Sequence, residues 1–223
     1  MEQLEQKFLD AATVGDINKI SAALKEGVNV NARNDEGRTA LMRCSRRGRI
    51  QVTQMLLDAG ADVNAQDDDK KTALMGAAKR GYTDLCQMLL DAGAEVDARD
   101  NQGSSALMRA AFMNQDEVVR LLLKYKADIN QQDDKGRTPL MEACSAGNIS
   151  VIDILLARGA DVNIQDNMGC TALMRVCYAG FDELIQILLR HGANKDIIDK
   201  DGHKAYDYYM IKSNNKELLD ALV

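Results

Sequence analysis

Few residues in this chain could do covalent or metal chemistry. Its 223 residues include two histidines, His191 and His203. Nucleophilic catalysis needs an activated nucleophile beside a base, or a bound metal. No HExxH, GxSxG or P-loop pattern occurs. His191 stands in "LLRHGAN", where a cation would complement a helix C-terminus. His203 stands in the last loop, and both are expected to be structural or surface residues. The five cysteines are Cys44, Cys86, Cys144, Cys170 and Cys177, an odd number with no CxxC pair. That pattern points to reduced thiols in an intracellular, cytoplasmic setting, or a nuclear one in a eukaryote. Cys44, Cys144 and Cys177 fall in the same part of the repeat described below. They could form a ligand ladder or redox site, but small apolar filling is the expected role. Cys170 is expected to be exposed in a loop. "QDDDK", from Gln66 to Lys70, resembles part of a calcium loop but lacks the Gly and distal Glu of an EF-hand, so it reads as a solvated tip. No catalytic residue, cofactor or metal is assigned.

What must position any site is a repeat. Thr39, Thr72, Ser105, Thr138 and Thr171 fall at one spacing, about 33 residues. Leu41, Leu74, Leu107, Leu140 and Leu173 share it, as do Gly60, Gly93, Gly159 and Gly192. The net charge is −6, which argues mildly against a general nucleic-acid binder. With no Trp and 4% aromatic residues, the core must be built from Leu, Ala, Val, Ile and Met. No apolar run reaches the ~20 residues of a membrane helix, and the opening "MEQLEQKFLD" is not a signal peptide.

Within one unit, Thr39 can cap a short helix over roughly 40–47, and Gly48 suits its left-handed end. In another unit Pro139 takes the first helical position, where its missing N–H costs nothing. A second helix is predicted over roughly 50–58, with Val52, Met55, Leu56 and Ala59 on its apolar face. "ADVNAQDDDK" then forms an extended loop. Such a hairpin is too small to bury its own apolar face and must stack on its neighbours. The Met series Met42, Met75, Met108, Met141 and Met174 reads as a core stripe.

"DKGRTPLMEACSAGNISVIDILLARGADVN", from Asp134 to Asn163, resembles the ankyrin repeat. The family pattern of Gly-x-Thr-Pro-Leu-His, Ala-Ala, Gly, Leu-Leu and Gly-Ala-x-Val-Asn is met almost throughout. The resemblance implies an all-α ankyrin-repeat solenoid of helix-turn-helix units with hairpin-like loops. Full repeats would lie at 34–66, 67–99, 100–132, 133–165 and 166–198, with capping repeats at 1–33 and 199–223. Where the family has His, this chain has Met, so contacts between units that a His would make through hydrogen bonds are left to packing. Lys70 and Lys126 replace family glycines, and Lys126, after a second helix, is expected at positive φ.

Repeated residues hold a stack together, so the varying ones are candidates for meeting a partner. They fall at the loop tips and at the ends of the first helices, which the resemblance places on the concave side. Toward the N-terminus these positions and their neighbours are basic: Arg38, Arg43, Arg46, Arg47, Arg49, Lys71, Lys79 and Arg80, with Arg137 further along. Toward the C-terminus they carry Phe112, Met113, Met168 and Tyr178, with Phe181 nearby. Arg and aromatic side chains are the usual anchors of interfaces. The expectation is a monomeric, non-catalytic scaffold that binds an extended protein segment, acidic at one end and apolar at the other. One alternative is a basic patch that binds nucleic acid or an acidic surface. A plainer one is that these cations only solvate a face beside acidic loop tips.

Overall fold

The computed structural model describes residues 2–212 and 215–223. Among these the chain forms fourteen helices in consecutive pairs. They are α1 (Glu2–Val14), α2 (Ile17–Lys25), α3 (Ala40–Ser45), α4 (Ile50–Asp58), α5 (Ala73–Ala78), α6 (Thr83–Asp91) and α7 (Ala106–Phe112). The series continues with α8 (Asp116–Lys124), α9 (Pro139–Ala146), α10 (Ile149–Ala157), α11 (Ala172–Ala179), α12 (Asp182–Arg190), α13 (Ala205–Met210) and α14 (Lys216–Leu222). Each odd-numbered helix packs on the next odd-numbered one, and α2, α4, α6, α8 and α10 form a second layer beside them. This is the solenoid expected from the repeat.

The local chemistry repeats with the sequence. Thr39, Thr72, Ser105, Thr138 and Thr171 each cap a first helix, accepting the N–H of the Met three residues on at 3.2–3.4 Å. In two units the Met closes the box in return: the N–H groups of Thr39 and Thr171 donate to Met42 Sδ at 3.5 Å and Met174 Sδ at 3.4 Å. The five Met side chains are all buried, as the core-stripe reading required.

The α4 helix matches its predicted span, whereas α3 ends at Ser45 and leaves Arg46 and Arg47 in the turn before Gly48. Gly48 has φ 70°, and in the corresponding turn Asn114 has φ 56°. Lys70 and Lys126 also take positive φ, 58° and 63°, which an L side chain adopts only at a cost. Ala59, just past the end of α4, departs from the expected apolar face. It is exposed, while Thr53 is fully buried with its hydroxyl 3.2 Å from Cys44 Sγ. Burying a hydroxyl is tolerable where it has a partner.

At the C-terminal end Tyr209 is fully buried, and its hydroxyl donates to Asp182 at 2.6 Å. Lys212, Lys216, Glu217 and Asp220 are exposed.

Candidate functional site

The loop tips are held by one buried carboxylate apiece. Asp67, Asp100, Asp133, Asp166 and Asp199 are all buried. One oxygen of each accepts the backbone N–H groups two and four residues on, at 2.8–3.0 Å. Asn34 does the same with Glu36 and Arg38. Successive tips are then tied by backbone bonds, such as Asp134 N–H to Gln102 O at 3.1 Å and Asn167 N–H to Lys135 O at 2.9 Å. A second ladder runs through Asn31, Asn64, Asp97, Asn130 and Asn163. Each accepts a backbone N–H from the next unit's loop, at 2.7–2.9 Å. Neighbouring units are therefore hydrogen-bonded through their loops as well as packed through the Met stripe. The constant register of these Asp and Asn residues was available in the sequence, where they read only as turn formers.

Against this frame the candidate cations divide into two sets. Arg38 pairs with Glu36 and with Asp67 of the next loop. Arg43 reaches back to α1, donating to Thr13 Oγ1 at 2.6 Å and Asp10 at 2.9 Å. Lys71 pairs with Asp69 at 2.7 Å. Arg137 pairs with Asp133 at 2.7 Å and lies 2.8 Å from Glu142 Oε1, close enough for an ion pair but outside hydrogen-bond geometry. Sequence alone offered no means of telling these residues apart, and in the structure these four have carboxylate partners within the chain. Their charge is already matched within the chain. Arg46, Arg47, Lys79 and Arg80 are different: all four are exposed and none has an ion-pair partner among the described residues.

A groove of about 430 Å³ collects Arg38, Arg43 and Lys71 of the first set and all four of the second. It is lined from the loops by Asn34, Glu36, Arg38, Asp67 and Lys71, from α3 and its turn by Met42, Arg43, Arg46 and Arg47, and from α5 and its turn by Met75, Gly76, Lys79 and Arg80. Thr13, Thr72 and Arg109 complete it. Sequence reasoning missed Arg109, whose guanidinium pairs with the buried Asp100. Eight cationic side chains line it, four of them paired with carboxylates of the chain, in a protein whose net charge is −6. A smaller groove of about 140 Å³ adjoins it, sharing Lys79 and Arg109 and adding Phe112, Met113, Arg137 and Glu142. Phe112 and Met113 are 48% and 39% exposed.

The ankyrin-repeat family model in three copies matches residues 8–67, 74–166 and 140–223, and the many-copy model matches 48–90. The chain belongs to the ankyrin repeat family. No curated protein sequence matches it. Ankyrin repeats are in general protein–protein interaction modules, in a family that is typically non-catalytic. No helix is long and apolar enough to cross a membrane among the described residues.

The remaining candidates in this ankyrin array lie outside both grooves. Met168 is an exposed loop tip, 58% accessible. Tyr178 is 57% accessible, meets Tyr208 edge-on at 6.2 Å between ring centroids, and carries Lys212 Nζ 5.0 Å from its own centroid. Phe181 is partly consumed by the stack: a Cβ on Gly147 would sit 3.2 Å from its ring. Tyr82 makes the equivalent contact over Gly48.

Cys44, Cys86, Cys144 and Cys177 are buried, and burial pushes their thiols up to about 11 for Cys44 and about 12 for the other three. Cys170 is half-buried rather than exposed, with its sulfur 3.8 Å from Tyr208 Oη. His191 Nδ1 lies 2.9 Å from Ile187 O at the end of α12. Asp199, Asp201 and His203 present ligand atoms within 4.8 Å of one another. The Asp199 carboxylate, however, already accepts two backbone N–H groups and the Tyr208 hydroxyl. In the "QDDDK" tip Asp67 is buried, while Asp68 and Asp69 are exposed and Asp69 pairs with Lys71.

Proposed function

We infer that this ankyrin protein is a non-catalytic, monomeric adaptor of the cell interior that holds an extended segment of a partner protein. The segment lies along the loop and first-helix face. Its acidic part sits over the groove of α3 and α5, and its apolar part runs toward Phe112, Met113, Met168 and Tyr178. The observation that carries this reading is the set of four exposed, unpaired cations beside a groove with a large cationic excess. Desolvating such charges against a complementary partner gives specificity and a faster encounter. The exposed aromatic and Met residues next to them supply apolar anchors. Stacked helices ~10 Å apart would extend seven units over ~70 Å, long enough for an extended segment.

The test is a selection from a random-peptide library, with individual winners measured by fluorescence polarisation. Wild type should enrich peptides with an acidic block and an apolar block. Changing Arg46, Arg47, Lys79 and Arg80 to Glu should abolish binding of these winners. Phe112→Ala with Tyr178→Ala should weaken it about tenfold or more, as for loss of interface anchors. Winners that bind the charge-reversed protein as well as wild type would remove the reading. The same cationic excess also suits a nucleic acid or another acidic surface. That second reading requires an affinity for single-stranded oligonucleotide that falls steeply with salt.

A further inference from the structure

Gly76 occupies a position in the repeat that elsewhere carries a long side chain: Arg43, Arg109, Glu142 and Arg175. It lines the large groove. The equivalent side chains on either side of it in the stack also line the groove, but both are tied to carboxylates of the chain. Arg43 is drawn back to Thr13 and Asp10 on α1, and Arg109 is drawn into its own loop by Asp100. Across this opening stand Arg46, whose Cβ lies 3.5 Å from where a Gly76 Cβ would be, and the exposed Arg47, Lys79 and Arg80.

A single carboxylate offers two oxygens and is matched by one bidentate Arg. Four unpaired cations around one opening exceed what it can use. A phosphomonoester carries a charge of about −1.5 to −2 at neutral pH and three acceptor oxygens, and Arg clusters are the usual readers of such groups. We propose that the opening over Gly76, ringed by Arg46, Arg47, Lys79 and Arg80, receives a phosphorylated side chain of the partner segment. This rests on the adaptor reading above and makes partner binding dependent on phosphorylation. A phosphopeptide is favoured over a nucleic acid because the four free cations of this groove lie on two adjacent units, Arg46 and Arg47 on one and Lys79 and Arg80 on the next. The neighbouring loop tips are acidic at Asp35, Glu36, Asp68 and Asp69, so a long polyanion would meet repulsion on leaving the groove.

Gly76 is helical and its φ is not positive, so substitution there is compatible with folding. Gly76→Leu fills the opening without changing charge. Gly76→Ala meets only ordinary contact and serves as the control. Four degenerate peptide pools with identical flanks would be titrated against the full chain, with phosphoserine, phosphotyrosine, serine or glutamate at the centre. Circular dichroism would verify that each variant folds. At least one phosphorylated pool should bind tenfold or more tighter than both the serine and the glutamate pools. Gly76→Leu and the pair Lys79→Gln, Arg80→Gln should erase that preference, and Gly76→Ala should keep it.

Equal binding of the phosphorylated and glutamate pools would overturn the phosphate site. If both were lost in the fourfold Glu variant, the adaptor reading would stand. A preference unchanged in Gly76→Leu would place the phosphate elsewhere and also overturn the proposal. So would a single-stranded oligonucleotide that displaces the phosphorylated pools at lower concentration than the pools themselves require.

Discussion

At the residue scale, two groups make the energetics of burial measurable. Glu142 stands where neighbouring units have Arg or Gly, and burial pushes its carboxyl above the ordinary value, only partly offset by Arg137. A carboxyl raised in the folded state binds more protons folded than unfolded between its two pKa values. Stability therefore falls as pH rises through that window. The stability of Glu142→Gln relative to wild type should accordingly improve between pH 4 and pH 7, read from urea midpoints at several pH values. A constant difference across that range would show that Glu142 ionises without penalty. The thiols give the second case. With thiols raised to about 11 or 12, Cys44, Cys86, Cys144 and Cys177 should be thiolate to roughly one part in a thousand or less at pH 8. Ellman's reagent on the native protein should therefore modify the half-buried Cys170 first and the other four only on unfolding. Fast labelling of any of those four would contradict their burial.

At the scale of the element, the loop is organised around its carboxylate. Asp166 holds the N–H groups of Met168 and Cys170 and pairs with Arg175. Asp166→Ala would leave two backbone donors and a half-buried guanidinium without their acceptor. The expected loss is about 2–4 kcal/mol, measured by urea unfolding. A loss under ~0.5 kcal/mol would mean that water replaces the carboxylate at once.

The helices themselves were readable from the sequence. Thr39 marked the start of α3, and the Gly at the turn with the apolar spacing of Val52 and Leu56 located α4 to the residue. The burial of Thr53 was not readable, because its partner, the Cys44 sulfur, comes from the other helix of the pair. Nor was the division of the cations. Arg38 meets an Asp 29 residues on, and Arg43 an Asp 33 residues back. Those pairings depend on the register between units, and composition alone made all the basic residues look alike. Arg109 was passed over for a related reason. The basic patch read from the sequence lies toward the N-terminus, in the first two full repeats, whereas Arg109, at the repeat position of Arg43, enters the groove from the third.

For the whole molecule, stability should be a sum of units and junctions, since each unit touches only its neighbours. Asn130 accepts the Asp161 N–H at 2.9 Å across a central junction. Asn130→Ala should cost about 1–2 kcal/mol there and loosen the two halves from each other. The chain offers a convenient probe of this. Of its six tyrosines, Tyr178, Tyr206, Tyr208 and Tyr209 lie near the C-terminus, so tyrosine fluorescence reports mainly that end while far-UV circular dichroism reports every helix. In wild type the two urea transitions should coincide, and in Asn130→Ala they should separate. Coincidence in both would show that the stack unfolds as one body whatever this junction contributes.

The tip-to-tip bonds join residues a whole repeat apart, as from Asp134 back to Gln102 and from Asn167 back to Lys135. A gene that gained or lost one complete unit would therefore find every donor facing its acceptor again. A slip of a single codon would misalign the loops at the junction that spans it. Heredity can lengthen or shorten such a chain only in whole units, and within each unit it is free to rewrite the exposed positions that no neighbour uses.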